Sequence, residues 1–267
     1  MTDWFEEWFG EEYLALYDHR DDREAQRVTR LIESRVKVPL GAPALDLACG
    51  AGRHQRALHE RWWTVGLDLS PSLLRVARDS DRLAPLVRAD MRELPFENGS
   101  FQLVVNLFTS FGYFATDAEH RRVIAEVARV TCRGGWFVLD FLHAAQVRRT
   151  LVARDVRLMA ASPGAEDAPE TVARTADDNG RATSRGKAGR TVTQERRISG
   201  DGRFVEKAIT VVDLGRTFVE RVRLFEPPEI RVMLQACGFA TGPLLGDYDG
   251  SVLDQDSPRC IAIGRRE

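Results

Sequence analysis

The chain is poor in the features that would mark several protein classes. Only four of its 267 residues are cysteine, and Cys49, Cys132, Cys237 and Cys260 form no CxxC pair. A disulfide framework or a zinc site is therefore not expected, and a reducing cytoplasm suits the chain. No charge of one sign dominates: 38 basic against 40 acidic residues leave a formal net charge of −2. A dedicated binder of the phosphate backbone would carry a basic face, so a nucleic-acid role is disfavoured. Long apolar runs are missing too. The longest uncharged stretch, Asn98 to Thr116, is too polar to span a membrane. The acidic start lacks the basic region of a signal peptide. What remains is 43% hydrophobic and 29% charged residues in a chain long enough to bury a core.

Residues 1–40 read as helical. Asp3 can cap a helix whose apolar face runs through Trp4, Phe5, Trp8, Phe9, Tyr13, Leu14 and Tyr17. Residues 1–26 hold nine acids and two arginines, so anionic lipid would repel this stripe, and packing onto the protein's own body is expected. A β–α alternation starts at Gly41. Strands are expected at Ala44–Ala48, Thr64–Leu69, Leu86–Ala89, Phe101–Phe108 and Trp136–Phe141, the last after a turn at Gly134-Gly135. Ser70-Pro71 should open one intervening helix, and another should span Ala118–Thr131. Such alternation implies a doubly wound α/β sheet with parallel strands.

The alternation then stops. Residues 161–190 have few large apolar groups and read as a mobile loop. Thr191–Ile198, Arg203–Val212 and Arg216–Phe225 read as a three-stranded antiparallel meander. Over 170–223 there are 12 basic and 8 acidic residues, which fits an acidic substrate, a nucleic-acid strand or a sheet with its charges turned outward; the outward arrangement is the expectation. A helix after Pro227-Pro228 ends at Cys237-Gly238, and strands at Ala240–Asp247 and Arg259–Arg265 close the chain.

The segment with most chemical content is Leu45-Asp46-Leu47-Ala48-Cys49-Gly50-Ala51-Gly52-Arg53. A strand, a glycine turn and a helix start let backbone approach a nucleoside closely. The sixth position of G-x-G-x-x-G is Gln55, and no Gly-Lys-Ser/Thr follows, so a dinucleotide or phosphate cradle is not indicated. Asp46 would repel a pyrophosphate but suits a cationic ligand. Asp68 and Asp90 end the next two strands, where a carboxylate can accept ribose hydroxyls and an adenine amino group.

These motifs, in this order, resemble class I S-adenosylmethionine-dependent methyltransferases over about residues 41–142 and 227–265. The resemblance implies a seven-stranded sheet in the order 3-2-1-4-5-7-6, the seventh antiparallel, with 41–142 and 227–267 as the cofactor core. Residues 1–40 would form a helical cap, and 143–226 an insertion that roofs the acceptor pocket or makes a homodimer contact. It also implies that Gly50 and Gly52, with Ala48 and Arg53 beside them, line the methionine part of S-adenosylmethionine. Asp46 would hold its amino group, Asp68 and Leu69 the ribose, Asp90 and Met91 the adenine, and Asn106 to Phe108 the methionine moiety and the methyl. Arg20 would contact the cofactor carboxylate or pair with nearby acids. Leu107–Tyr113 and the Gly52-Arg53-His54 form of the turn look like a bacterial subgroup acting on small molecules.

The fourth strand lacks the Asn/Asp-Pro-Pro-Tyr/Phe and Pro-Cys motifs of base methylation, so DNA is not an expected partner. The expected reaction is methyl transfer to N or O of a small molecule; a non-catalytic cofactor-binding module and an RNA or protein methyltransferase are the alternatives. Base candidates are His19, His54, His143, Tyr13 and Tyr17. His54 either faces the cofactor or is an exposed helix residue. Tyr13 and Tyr17, one turn apart, either close over the sulfonium or simply pack. The loop Asp247-Tyr248-Asp249-Gly250-Ser251 is either at the site edge or a solvated turn.

Overall fold

The computed structural model describes residues 3–16, 22–159 and 190–267. The expected mobile loop at 161–190 therefore lies outside the described residues, save that Arg190 begins a strand; Tyr17, His19 and Arg20 lie outside them as well.

The N-terminal stretch forms three helices: α1 (Trp4–Trp8), α2 (Glu11–Leu16) and α3 (Asp22–Arg35). The single aromatic helix of the sequence reading breaks at Gly10, whose N–H turns back to the Trp8 carbonyl at 2.7 Å. Asp3 stands at the α1 N-cap without a side-chain capping bond, because its carboxylate pairs with Arg92 at 3.0 Å instead.

The core follows as β1 (Pro43–Leu47), α4 (Arg53–His59), β2 (Trp63–Asp68), α5 (Pro71–Ser80), β3 (Leu86–Arg88), β4 (Phe101–Asn106), α6 (Asp117–Val130) and β5 (Thr131–Leu142). Local chemistry sets the helix starts. The Ser70 hydroxyl accepts from Leu73 N at 3.2 Å with Pro71 in the first turn, and Thr116 and Glu119 make a reciprocal capping box for α6. After the insertion come α8 (Pro227–Ala236), β10 (Phe239–Thr241) and β11 (Arg259–Arg266).

The sheet order is β10-β11-β5-β4-β1-β2-β3. β1 to β5 run parallel and β11 runs antiparallel to both β5 and β10. This is the expected doubly wound sheet. Both faces are covered: Leu45, Leu47, Val104 and Phe141 pack in one cluster, and Ala44, Leu103, Val105 and Val138 pack in another with α3 residues Val28 and Ile32. A central strand buried on both faces reads as a continuous apolar run, which makes the lone carboxylate of Asp46 conspicuous.

Three boundaries differ from the sequence reading. Gly134-Gly135 is not a turn before the fifth strand but a bulge within β5, where Phe101↔Thr131 and Leu103↔Trp136 leave extra residues on β5. The expected strand Ala240–Asp247 shortens to β10, since Gly242-Pro243 follows and proline has no N–H for the ladder. Between β5 and α8 the chain forms α7 (Ala144–Thr150) and a four-stranded antiparallel sheet, β6 (Arg154–Met159), β7 (Arg190–Ile198), β8 (Phe204–Val211) and β9 (Arg216–Arg223), in place of the expected three strands. The extra strand, β6, is a charged edge strand whose partner β7 is remote in sequence, so no local signal announces it.

The expectation that the charges of this second sheet turn outward holds for Glu195, Arg197 and Arg221 but fails for three others. One face of β7 to β9 carries Val192, Ile209, Val211 and Phe218, packed with Trp8 and Leu16. Arg196, Lys207 and Glu220 share that inward face, as the cross-strand register requires.

Candidate active site

A cleft of about 1710 Å³ opens between the carboxyl ends of β1 to β4, the helix α1 and the inward face of the second sheet. Its floor is the glycine turn. Ala48 (φ 60°) and Gly50 (φ 55°) both take left-handed backbone, a conformation strained for alanine. A Cβ on Gly50 would meet nothing closer than Leu73 at 4.0 Å, so that position leaves backbone open to a ligand. Gly52 (φ 78°) does not line the cleft: its close neighbour is Ala77 of α5, 3.0 Å from where a Cβ would sit. It is needed for helix packing.

Asp68 ties the turn to β2. Its carboxylate accepts from Gly50 N and from Ser70 N, each at 2.8 Å, while burial pushes its pKa up. Asp46 is completely buried, behind the cleft rather than lining it, and its Oδ2 has no partner among the described residues. Burial first, then the charge of Asp68, push its pKa to about 7, against a backbone hydrogen bond from Gln55. Asn106 also sits behind the lining. Its amide donates to the Leu47 carbonyl at 2.9 Å and leaves Oδ1 without a partner among the described residues.

The raised Asp46 pKa has a consequence for stability. The folded chain holds this proton up to about pH 7, whereas the unfolded chain loses it near 3.8. The contribution is therefore complete below the lower value and lost as pH rises to the higher one, at up to about 1.4 kcal/mol per pH unit. Asp46→Asn in the unliganded protein is expected to gain stability over the wild type steadily from pH 4 to 7, with no further gain above. Denaturant melts at a series of pH values check this; parallel curves would refute it.

At the far end, Asp90 lines the cleft and is gripped by Arg92. The Arg92 side chain reaches both carboxylate oxygens (2.7 to 3.1 Å), and Glu119 at 2.8 Å and Asp3 at 3.0 Å. Burial alone would raise the Asp90 pKa, but the hydrogen bonds and charge of Arg92 hold it low. Leu69 and Met91 line the cleft beside it. The Asp3 pair, Trp4 Nε1 donating to the Tyr113 carbonyl (3.2 Å) and Ser70 Oγ donating to the Phe9 carbonyl (2.5 Å) fasten α1 over this end.

Past β4, Phe108 (φ 57°) and Thr109 (φ 65°) make a second left-handed turn. Asp140 clamps it: its carboxylate accepts from Phe108 N at 3.0 Å and its carbonyl from Thr109 N at 3.2 Å. The same carboxylate takes the Tyr248 hydroxyl (2.7 Å) and both arms of Arg259 (2.5 and 2.8 Å). Tyr248 is buried, so the solvated-turn alternative for its loop fails at that residue. Arg53 and Arg259 lie 4.9 and 5.4 Å from the Phe108 ring centre.

Of the base candidates, His54 is buried and lines the cleft, 6.2 Å from the Phe108 ring, which removes the exposed-helix alternative. Tyr13 lines the cleft and packs edge-on against Phe9 at 4.8 Å. His143 is buried elsewhere, with Nδ1 2.8 Å from the Ser257 carbonyl. Arg92, Asp140, Arg259, Lys207 and Glu220 went unread in the sequence, because each acquires meaning only from a partner distant in the chain.

A sheet in this order, with its cleft at the carboxyl ends of the first four strands, is the fold expected from the resemblance to class I S-adenosylmethionine-dependent methyltransferases. Residues 44–135 match the family described as "Methyltransferase domain". The chain is 32% identical over 158 residues to dTDP-3-amino-3,4,6-trideoxy-alpha-D-glucopyranose N,N-dimethyltransferase of Streptomyces venezuelae, a match covering 57% of this chain and 62%, less than two thirds, of that protein. It resembles the solved structure of S. venezuelae DesVI (TM-score 0.62, 25% identity, 92% of each chain). It also resembles the CcbJ methyltransferase of Streptomyces caelestis (TM-score 0.72, 16% identity, 97% of this chain and 98% of that one), a likeness of fold. No helix among the described residues is long and apolar enough to cross a membrane.

Proposed function

We propose that the protein transfers a methyl group from S-adenosylmethionine to a small-molecule acceptor, and that the accepting atom is the nitrogen of an amino sugar. The observation that carries the reading is the cleft itself, which joins two strand-end carboxylates, Asp68 and Asp90, to a roof supplied by the second sheet, with Asp46 buried behind its floor. The donor set fits this cofactor. Buried Asp46 Oδ2 and Asn106 Oδ1 are acceptors in want of a donor, which suits an ammonium. The open backbone at Gly50 suits a ligand pressed against the turn.

In this reading Ala48, Gly50 and Arg53 flank the methionine part, and Asp46 and Asn106 attract its ammonium directly or through water. Asp68 and Leu69 take the ribose, while Asp90 and Met91 take the adenine. The cofactor supplies a methyl already activated on sulfur, so the protein chiefly aligns donor and acceptor. Phe108 and Tyr13 border the methyl. His54 takes the proton that the acceptor nitrogen sheds. The relatives' amino-sugar chemistry supports nitrogen as the accepting atom. A homodimer through the second sheet and a cytoplasmic setting belong to the same proposal.

The test is incubation with methyl-labelled cofactor and nucleotide-linked amino sugars, beside their hydroxyl counterparts. Label on the amine alone is the expected result. Label only in macromolecules, or binding of S-adenosylhomocysteine with no transfer to any acceptor, would overturn it.

A further inference from the structure

The inward face of the second sheet carries a row of charges where an alternating sheet over a core would carry apolar groups. Arg196 on β7 stands directly opposite Lys207 on β8, which stands directly opposite Glu220 on β9. All three line the cleft, and their side chains are only 17%, 13% and 19% exposed. Two like charges facing each other across neighbouring strands repel, and burial strengthens the repulsion. Burial pushes the Lys207 pKa down; Glu220 opposes the shift and Arg196 adds to it.

Each of the two cations, side by side across neighbouring strands, is held by an acid on its outer side. Asp155 lies 3.3 Å from Arg196 on the β6 side, and Gln194 Oε1 also accepts from that guanidinium. Glu220 lies 3.3 Å from Lys207 on the β9 side and is fixed by Trp8 Nε1 at 2.7 Å. The acids thus flank the couple from outside. The cleft, at about 1710 Å³, exceeds the 300–1,000 Å³ of an ordinary small-ligand pocket, so it has room for an acceptor beyond the cofactor.

We infer that Arg196 and Lys207 form an anion-binding subsite that holds a phosphate or diphosphate group of the acceptor. A carboxylate can be satisfied by one guanidinium, whereas two adjacent cations match the greater charge and oxygen count of a phosphate ester. The inference rests on the small-molecule methyl transfer proposed above and names the chemistry of that substrate: a phosphorylated or nucleotide-linked acceptor. Anchored at the roof, the acceptor's other end reaches toward the strand ends.

Calorimetry on the full chain tests it, with inorganic pyrophosphate and thymidine diphosphate as probes, with and without saturating S-adenosylhomocysteine. The wild type is expected to bind both probes, more weakly as salt rises. Lys207→Met and Arg196→Gln should each weaken binding at least tenfold, while S-adenosylhomocysteine affinity stays within twofold and Lys207→Arg retains most of the probe affinity. Should Lys207→Met fail to fold, Arg196→Gln and Lys207→Arg decide the question. Failure of the wild type to bind either probe, or equal binding by the charge-removing variants, would overturn the subsite. Because S-adenosylhomocysteine is titrated separately, its failure alone counts against the methyltransferase reading, and probe binding still decides the subsite.

Discussion

Asp68→Ala is expected to weaken S-adenosylhomocysteine binding at least 100-fold. The carboxylate has two duties. In the free protein it accepts from Gly50 N and Ser70 N, fixing the glycine turn against the end of β2. Its remaining lone pairs face the cleft, where the ribose hydroxyls are proposed to dock. Hydrogen bonds to a charged group contribute about 1.5–3 kcal/mol each, and tenfold in affinity is about 1.4 kcal/mol, so losing two ligand bonds and loosening the turn exceeds two decades. Asp68→Asn keeps the shape and one acceptor and should lose less. Calorimetry measures both variants, and circular dichroism establishes that each is folded. Unchanged affinity in Asp68→Ala would sink the placement of the ribose.

The second large effect concerns stability. Asp140→Ala is expected to lower stability by about 3–5 kcal/mol, the usual loss when one partner of a buried ion pair is removed. Asp140 is wholly buried on β5 and serves three donors at once: the Arg259 guanidinium, the Tyr248 hydroxyl and Phe108 N. Alanine would strand a cation and two N–H or O–H groups, and would release the left-handed turn at Phe108 and Thr109. At roughly 2–4 °C per kcal/mol for a chain of this size, the melting temperature should fall by about 10 °C. Tyr248→Phe, which removes one hydrogen bond, should lose about 1–3 kcal/mol. A melting point for Asp140→Ala within 2 °C of the wild type would refute the clamp.

Much of the fold was legible because its signals are local. Ser70-Pro71 and Thr116 with Glu119 announce helix starts through their own hydrogen bonds, and apolar runs such as Phe101–Asn106 announce strands buried on both faces. Gly50, Asp68 and Asp90 stood out because strand ends in an alternating α/β pattern fall together at one edge of the sheet. Long-range pairing was not legible. β6 reads as a charged segment until β7 lies beside it. Arg92 reads as one arginine among many until Asp3, Asp90 and Glu119 surround it.

By itself the sequence determined the order of strands and helices in the seven-stranded core, the glycine turn and the carboxylates at three strand ends. Each depends on residues within a turn or a strand of one another. Tertiary structure alone decided which of these face the cleft: Gly50 does, while Gly52 packs on Ala77 and Asp46 lies behind the lining. It also decided that Arg196, Lys207 and Glu220 of the second sheet point inward while Glu195 and Arg197 point outward. An alternating strand has two faces, and only the core packed against one of them, here Trp8 with Val192, Ile209 and Phe218, fixes which face looks into the protein.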